Sequence, residues 1–398
     1  MAFKLLLEKG CPLDRQVFTW KELVQQPISK LNDDAFTRVR IILTTGIETE
    51  ALRFSHACSR MNKNLQLDLA KIRIIEQHQV SLAIGLIPPD QSTLESSIAC
   101  EQTAIELTAD IAQREPDPYL AKIYSFETLK DVDHLYRFSA LLDRLEGKDP
   151  NTLLQSYTDI CPGLLTSVEH RSAEDRLHAS YDRKTALPLT KFHALTLLAG
   201  KLQAHAFYLN SVPQFSDPIA RQLYSEMTSA QEQQITQYES LIDPQESWLE
   251  RWVLHEANEV YNYYSCVCTE SDPRIKAIWE RFLDYELGHL SRAVELFQNI
   301  EKRDAAEILP ATLPDPLSLE CQRDFIQSTL IALNRDDQVN MNNRPRSISY
   351  QGQMNSEGSP SEIVAANYHW SPGTELTRQA AVIHELNKYT KHKHKGAA

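Results

Sequence analysis

Two stretches of this sequence share one pattern of residues. They read DPYLAKIYSFETLKDVDH at residues 117–134 and DPRIKAIWERFLDYELGH at residues 272–289. Both begin with Asp-Pro, which favours a helix start because Asp accepts hydrogen bonds from free backbone donors and Pro fits the first turn. Both continue with apolar residues at spacings of three and four, as in a helix that buries one face. The two stretches therefore predict two long and equivalent helices.

Each stretch ends in an acidic residue followed three positions later by a histidine, within a stripe that should be apolar. These pairs are Asp131 with His134 and Glu286 with His289. Residues three apart lie on one helix face, so each pair points into the helix bundle. A glutamate precedes each pair by 30 residues, at Glu101 and Glu256. Two trios with identical spacing indicate an internal repeat, related by a shift of 155 residues.

The same apolar spacing predicts eight helices in two sets of four, at residues 36–146 and 190–302. Residues 1–35 precede the first set as an N-terminal extension. Residues 147–189 are charged and interrupted by prolines, and they are predicted to be a linker with one short helix. Beyond about 303 the pattern fails, although residues 319–333 could form one helix. Residues 334–375 are rich in Asn, Ser, Gly and Pro, so the C-terminal extension (303–398) is predicted to be largely disordered.

Glycine, proline and capping residues support the helical prediction. The chain has 11 glycines among 398 residues but 19 prolines, which favours long helices joined by short breaks over a sandwich or a glycine-rich nucleotide-binding fold. Ser92 with Glu95 has the spacing of a capping box and predicts another helix start. Asp243 with Glu246 is interpreted in the same way.

Charge and cysteine content restrict the class of protein further. A net charge of −13 argues against nucleic acid as the main partner, because phosphate recognition needs a basic surface. No segment reaches the roughly 18 apolar residues that would span a membrane, and the first residues do not resemble a secretory signal. The seven scattered cysteines indicate reduced thiols, so we expect a cytoplasmic protein.

The repeated carboxylate and histidine pattern resembles the ferritin-like superfamily. In that superfamily a four-helix bundle offers one Glu from each of two helices and a Glu-x-x-His from each of the other two, which hold two iron or manganese ions. The resemblance implies an all-α fold of two tandem ferritin-like four-helix bundles with a mostly disordered C-terminal tail. It points to no particular protein or substrate.

The resemblance implies a metal site in the first set of helices, with Fe or Mn bound as one ion or two. Its predicted ligands are Glu50, Glu76, Glu101, Asp131 and His134. Carboxylate oxygens suit Fe and Mn, and an imidazole adds affinity for transition metals over magnesium. Gln79 stands where a second histidine would be expected.

The second set carries Glu256, Glu286 and His289, but its other ligand positions are degenerate. The shift of 155 residues places neutral or basic side chains there, at Lys201, Gln231 and Gln234. The lysine is predicted to place its ammonium group against Glu256 and Glu286. This set is expected to be metal-free or to hold a single ion on Glu256, Glu286 and His289, with His205 as a further ligand or as a group that orients the ligands.

Two further acidic residues, Glu127 and Glu259, lie on the same stripes. They are interpreted either as groups that orient the histidines or as ordinary boundary residues. A different arrangement also stays open, in which the two halves exchange hairpins. The hairpins at 91–146 and 248–302 would then bring both trios together at one shared site, although sequential helices usually pack as neighbours.

The resemblance implies one function, and the degenerate positions favour an alternative. The first is a non-haem di-metal oxidoreductase that activates dioxygen or peroxide and acts on a small organic molecule. The alternative is a metal-poor helical scaffold or interaction protein derived from such an enzyme, which Lys201 and the glutamines favour. The sequence leaves open the substrate, the metal and whether the chain forms a homo-oligomer.

Overall fold

The computed structural model describes residues 3–336, 345–366 and 368, and this part of the chain contains helices but no strand. The all-α prediction is confirmed. Eight long helices are α1 Ala35–Met61, α2 Gln66–Gly85, α3 Thr93–Arg114, α4 Pro118–Glu146, α6 Pro188–Ser211, α7 Pro218–Leu241, α8 Trp248–Thr269 and α9 Pro273–Glu301, and the short helix α5 is Pro150–Leu154. Helices α3 and α8 have 22 residues each, and α4 and α9 have 29 each, so the shift of 155 residues also relates the helix bounds.

The predicted capping residues begin most of these helices. Aspartates accept backbone hydrogen bonds at the starts of α4, α7 and α9, at Asp117, Asp217 and Asp272. The start predicted at Asp243 is wrong, because α8 begins later, with Ser247 accepting a hydrogen bond from the Glu250 amide. Ser247 and Glu250 are the counterparts of Ser92 and Glu95, which form a complete capping box. Ser247, the counterpart of the Ser92 cap, therefore determines where α8 begins, and the preceding Asp243-Pro244 does not.

The eight long helices form four hairpins, which pack as two bundles. In bundle A the α1–α2 hairpin packs against α8–α9: α1 contacts α8, and Asp68 of α2 pairs with Arg292 of α9 at 2.9 Å. In bundle B the α3–α4 hairpin packs against α6–α7: α3 contacts α6, and Arg144 of α4 pairs with Asp217 before α7 at 3.4 Å. Each bundle therefore takes one hairpin from each half of the chain.

This pairing differs from the predicted one, in which residues 36–146 and 190–302 each form a bundle. The physical reason lies in α1, which is buried on all sides from Ala35 to Glu48 and contacts α3, α6 and α8. A helix without an exposed face gives no periodic signal that selects one partner. At Gly46 a Cβ atom would lie 3.3 Å from the carbonyl oxygen of Ala199, so glycine favours the close crossing of α1 and α6.

Two irregular segments, which we call straps, cross the outside of α9 and α4. They are the N-terminal strap (residues 3–34) and the middle strap (residues 147–187). Gly10 has a φ of +58°, and a Cβ there would lie 2.3 Å from the carbonyl oxygen of Asp284. At Gly163 a Cβ would lie 2.1 Å from the carbonyl oxygen of Leu129. The predicted linker contains its short helix α5, but it is a packed element that corresponds to the N-terminal strap.

The described part of the C-terminal extension forms three helices. The first lies near the helix predicted at 319–333, whereas the other two lie in the segment 334–375, where the prediction of disorder is wrong for the described residues. The three helices are α10 Arg323–Asp336, α11 Pro345–Met354 and α12 Pro360–Ala365. Helix α12 packs on α4 and α7, where buried Glu226 accepts hydrogen bonds from the Ser359 hydroxyl at 2.8 Å and the Ser361 amide at 2.7 Å. The polar composition of this segment did not predict its folded structure, because a carboxylate far away in the sequence, Glu226, holds it in place. Most of the tail from 367 to 398 lies outside the described residues.

Two coarse expectations concern the environment of the protein. Among the described residues, none of the helices has the length and apolar character required to cross a membrane. All seven cysteines are free thiols. The cytoplasmic location stays a prediction.

Candidate metal centres

Seven polar side chains from all four helices meet in the interior of bundle A. We call this cluster centre A, and it consists of Glu48, Glu76, Gln79, Glu256, Glu259, Glu286 and His289. Each side chain is at most 2% exposed. Among the described residues, no lysine or arginine forms an ion pair with any of the five carboxylates. Centre A is therefore strongly acidic and lacks a fixed cation.

The ligand atoms of centre A form two adjacent groups. One oxygen or nitrogen from each of Glu76, Glu256 and His289 lies within 4.8 Å of the others, and the same holds for Glu48, Glu259 and Glu286. The groups touch where Nδ1 of His289 lies 2.9 Å from Oε2 of Glu286. Two neighbouring three-residue groups from four helices are the arrangement that suits two metal ions.

Several atoms of centre A lack the partner that a buried polar atom requires. Four carboxylates and one amide each leave an oxygen without a hydrogen bond, on Glu48, Glu76, Gln79, Glu256 and Glu259. Burial raises the pKa of Glu256 to about 8, and burial with the neighbouring carboxylates raises the pKa of Glu48, Glu76 and Glu259 well above the ordinary value. Burying a carboxylate without a partner costs free energy, so these oxygens are suited to act as ligands of a cation.

The N-terminal strap fixes the orientation of His289. Nε2 of Gln16 donates to the carbonyl oxygens of Cys11 and Tyr285, so its Oε1 faces His289 and accepts from Nε2 at 2.7 Å. This leaves Nδ1 of His289 directed at Glu286 and Glu256. Burial alone would lower the pKa of His289, but Glu286 outweighs it and raises the pKa to about 9. Gln16 thus selects the nitrogen that a metal would bind.

Three donors also hold carboxylates of centre A in place. Each donates to one oxygen, and the pairs are Tyr263 with Glu48, Trp252 with Glu256, and Gln79 with Glu286. In the first two pairs the second oxygen is unpartnered. The protein therefore orders these ligands while it leaves oxygens available.

Bundle B contains a related but different cluster, which we call centre B. It consists of Glu101, Asp131, His134, Lys201, Tyr208, Gln231 and Gln234, each at most 2% exposed. Ligand atoms of Glu101, Asp131 and His134 lie within 4.8 Å of one another. The Lys201 ammonium group forms an ion pair with Asp131, and the Tyr208 hydroxyl donates to Glu101. Centre B therefore has a cation supplied by the chain.

The middle strap contacts His134 as the N-terminal strap contacts His289. Nε2 of His134 lies 2.9 Å from Oε2 of buried Glu169. Burial lowers the pKa of His134, but the carboxylates of Glu169 and Glu101 outweigh burial and raise the pKa to about 9. Lys201 and a protonated His134 offset the surrounding carboxylates. Centre B is thus close to electrically balanced without a metal.

The structure separates the residues that were predicted to form one site. Of the predicted ligands, centre A receives Glu76, Glu256, Glu286 and His289, and centre B receives Glu101, Asp131 and His134. The ligand set predicted within residues 36–146 is therefore not formed. The alternative shared site, with both trios together, is not formed either. Hairpins do exchange between the halves, but the two trios do not meet. The trio on α8–α9 faces the α1–α2 hairpin, and the trio on α3–α4 faces the α6–α7 hairpin.

Glu50 was predicted as a ligand, but Glu48 takes that place. Oε2 of Glu50 pairs with Nδ1 of His255 at 2.8 Å, outside centre A. Two residues along a helix turn the side chain to another face, so only one of the two glutamates can point inward. A signal was present in the buried spacing of Glu48, Ala51 and Ser55, at intervals of three and four.

Lys201 and Glu259 differ from their predicted roles. The lysine was expected to contact Glu256 and Glu286, but it contacts Asp131, because the α6–α7 hairpin packs against α3–α4. Glu259 was interpreted as a group that orients a histidine or lies at the boundary. It instead lies among the potential ligands of centre A.

Glu127 and His205 do not orient the histidines. Glu127 accepts a hydrogen bond from Lys130 of its own helix at 2.7 Å. His205 lies 3.5 Å from Glu232 and is partly exposed. Among the degenerate positions, Gln79 contacts Glu286 in centre A, whereas Gln231 and Gln234 are buried without hydrogen-bond partners.

The sequence interpretation missed Gln16 and Glu169, which lie in segments treated as an extension and a linker. A signal was available, because Cys11-Pro12 in the first strap recurs as Cys161-Pro162 in the second. Comparison with protein-family models, with curated proteins and with solved structures finds no match to this chain. The function must therefore be inferred from the centres themselves.

Proposed function

We propose that this protein is a ferritin-like, non-haem di-metal carboxylate protein that binds iron or manganese at centre A and acts as an oxidoreductase on dioxygen or peroxide. One observation carries the proposal: five carboxylates are buried together in bundle A, and the described chain pairs none of them with lysine or arginine. Buried charges of one sign cost several kcal/mol each unless a counter-charge is present. Two divalent cations would supply that counter-charge.

The donor set of centre A fits such ions. Five carboxylates and one imidazole form an oxygen-rich environment with a single nitrogen ligand, which suits Fe and Mn better than softer metals. The two groups Glu76–Glu256–His289 and Glu48–Glu259–Glu286 would hold one ion each. The single histidine distinguishes this set from the usual pattern with two, since Gln79 occupies the other position.

The residues around centre A prepare it for this role. Gln16 keeps Nδ1 of His289 directed inward, and Tyr263 and Trp252 hold two carboxylates by one oxygen each. Burial of all seven side chains excludes bulk water, which strengthens electrostatic interactions inside. Ferrous ions, when bound, supply the electrons that reduce dioxygen or peroxide.

A cavity of about 310 Å³ lies between α1 and α8 of bundle A and α6 and α7 of bundle B, and it is the proposed location for a small organic substrate. Two of its wall residues neighbour centre A in the sequence: Glu50 follows Glu48 by two residues, and His255 directly precedes Glu256. Phe54 stacks on His255 with ring centroids 4.1 Å apart. The wall therefore combines an aromatic surface with a carboxylate and an imidazole.

The scaffold alternative has one observation in its favour, which is the lysine in centre B. Lys201 shows that this chain can neutralise a bundle interior without metal. The observation applies to bundle B, because the corresponding position in bundle A is Gly46 and no lysine or arginine of the described residues pairs with its carboxylates. The oxidoreductase proposal is therefore preferred for the protein as a whole.

The metal content of matched variants tests the proposal. Glu286→Gln removes a carboxylate from centre A, and Asp131→Asn changes the corresponding position of centre B. The wild type, purified without chelator or reconstituted anaerobically with ferrous iron, should hold about two ions per chain. Glu286→Gln should lose them and Asp131→Asn should keep them, as measured by elemental analysis.

Oxygen consumption separates the enzyme from the scaffold. Ferrous wild-type protein should consume dioxygen faster than ferrous iron with the Glu286→Gln variant. A wild type that takes up no metal would refute the metal proposal and leave the scaffold. A wild type that holds iron but consumes no dioxygen or peroxide would refute the oxidoreductase role.

A further inference from the structure

Centre B corresponds to centre A position by position, with specific losses. The trio Glu101, Asp131 and His134 corresponds to Glu256, Glu286 and His289 through the shift of 155 residues. The remaining acidic positions of centre A, Glu48, Glu76 and Glu259, become Gln203, Gln231 and Ala104. Centre B thus keeps the counterparts of Glu256 and His289 from one group and of Glu286 from the other, and it loses the counterparts of the other three carboxylates.

The trio that remains has the geometry of a three-residue ligand group. Its ligand atoms lie within 4.8 Å of one another, the same limit that the Glu76–Glu256–His289 group meets. Glu169 holds Nε2 of His134, so Nδ1 faces inward toward Glu101 at 3.8 Å. The inward arrangement of a ligating histidine is therefore preserved in bundle B.

Several buried atoms around this trio lack partners. Oε2 of Glu101 and Nδ1 of His134 have no hydrogen bond, and neither does either amide atom of Gln231 or Gln234. All four side chains are at most 1% exposed, so bulk water does not satisfy them. Positions 231 and 234 lie on one face of α7, three residues apart, and correspond to Glu76 and Gln79 of centre A. The trio is therefore surrounded by buried polar atoms that have no hydrogen-bond partner.

Lys201 is the new positive charge in this arrangement. Its ammonium group pairs with Asp131, and its side chain is 3% exposed. The corresponding residue in α1 is Gly46, which has no side chain and lies at the crossing with α6. A glycine in one half and a buried lysine in the other explain why centre B, unlike centre A, contains an ammonium group.

We propose that centre B is a latent metal site, in which the ammonium group of Lys201 takes the position of a divalent cation beside Glu101, Asp131 and His134. Lys201 thereby restricts the wild-type chain to one metal centre. Removal of the lysine side chain leaves a buried carboxylate pair and an imidazole without a cation, and Mn(II) or Fe(II) then binds there. This inference concerns bundle B and is independent of the oxidation proposed for bundle A.

The test uses the full chain with centre A disabled by Glu256→Gln and Glu286→Gln. These neutral substitutions remove negative charge from a cluster of buried carboxylates, so they should preserve the fold. Within this background, Lys201→Ala should gain about one Mn(II) per chain, with at least a tenfold gain in affinity, measured by equilibrium dialysis and elemental analysis. The matched control is Lys191→Ala, another buried lysine, which should gain none.

Further substitutions decide between a specific site and loose binding. Lys201→Ala combined with Asp131→Asn should bind no Mn(II), because one of the three ligands is gone. Added Mn(II) should also raise the melting temperature of the Lys201→Ala chain but not that of the Lys191→Ala chain.

Three results would overturn the inference. They are a folded Lys201→Ala chain that binds no Mn(II), binding that survives Asp131→Asn, and a chain that fails to fold even when it is produced with Mn(II) present. Failure of the proposed function is read separately, from wild-type metal content.

Discussion

At the scale of single residues, the two central histidines differ in their outer partner. His289 meets the neutral amide of Gln16, whereas His134 meets the carboxylate of Glu169. A carboxylate favours the protonated imidazole, whereas a metal needs the neutral one. The neutral Gln16 therefore accompanies the acidic interior of bundle A, which suits a metal. The carboxylate of Glu169 accompanies the interior of bundle B, which contains Lys201.

Removal of Gln16 should weaken metal binding at centre A. In Gln16→Ala, Nε2 of His289 loses its acceptor and the ring loses its fixed orientation, so Mn(II) affinity should fall by about 10- to 100-fold. Titration of the apoprotein with Mn(II) measures the change. Gln25→Ala, on the same strap, is the control and should leave the affinity unchanged. Equal affinities of the two variants would show that the strap does not position His289.

At the scale of elements, helix starts follow from local sequence, whereas the straps depend on distant partners. Asp117 caps its own helix through atoms two and three residues away. Glu106 of α3 shows the opposite case, because it accepts hydrogen bonds from Thr158 of the middle strap and from the Gln322 amide before α10. Contacts between residues so far apart in the sequence produce no regular spacing, so they cannot be predicted from it.

The buried carboxyl group of Glu106 should make stability depend on pH. Burial raises its pKa to about 7, so the folded chain holds this proton more tightly than the unfolded chain. Its contribution is therefore full below the ordinary carboxyl pKa and is lost as the pH rises through about 7. Between pH 5 and pH 8 we expect a loss of roughly 1 to 3 kcal/mol at this group.

Glu106→Gln should remove that part of the pH dependence. The amide can accept from the Gln322 amide and donate to the Thr158 hydroxyl, so the local contacts have a neutral substitute. Urea unfolding at pH 5 and pH 8 gives the free energies of unfolding. The exposed Glu8→Gln is the control and should keep the wild-type difference. A Glu106→Gln chain with the same pH difference as the control would contradict the assignment.

At the scale of the whole molecule, the exchange of hairpins makes the two halves interdependent. Bundle A uses α1–α2 and α8–α9, and bundle B uses α3–α4 and α6–α7. Neither half contains the four helices of a bundle, and neither half contains a complete centre. The chain should therefore behave as one unit even when the connection between its halves is cut.

A cut between Lys184 and Thr185 tests this interdependence. Both side chains are exposed, so a specific protease site inserted there should be accessible. After cleavage, the fragments should elute together in gel filtration at the volume of the uncut insertion variant, and they should separate only in denaturant. Two folded fragments that separate in native buffer would contradict the exchanged pairing.

The sequence by itself determined the helices, the repeat and most of the residues that carry chemistry. Caps and apolar spacing act within one or two turns, so α3, α4, α8 and α9 and the trio on each hairpin could be predicted from local pattern. Only the tertiary structure decided which hairpins meet. The first half of α1, from Ala35 to Glu48, is buried on all sides, so its pattern did not select α8 as a partner. That pairing places Lys201 beside Asp131 and leaves the carboxylates of centre A without a cation, because charge balance in a bundle interior depends on contacts between distant parts of the chain.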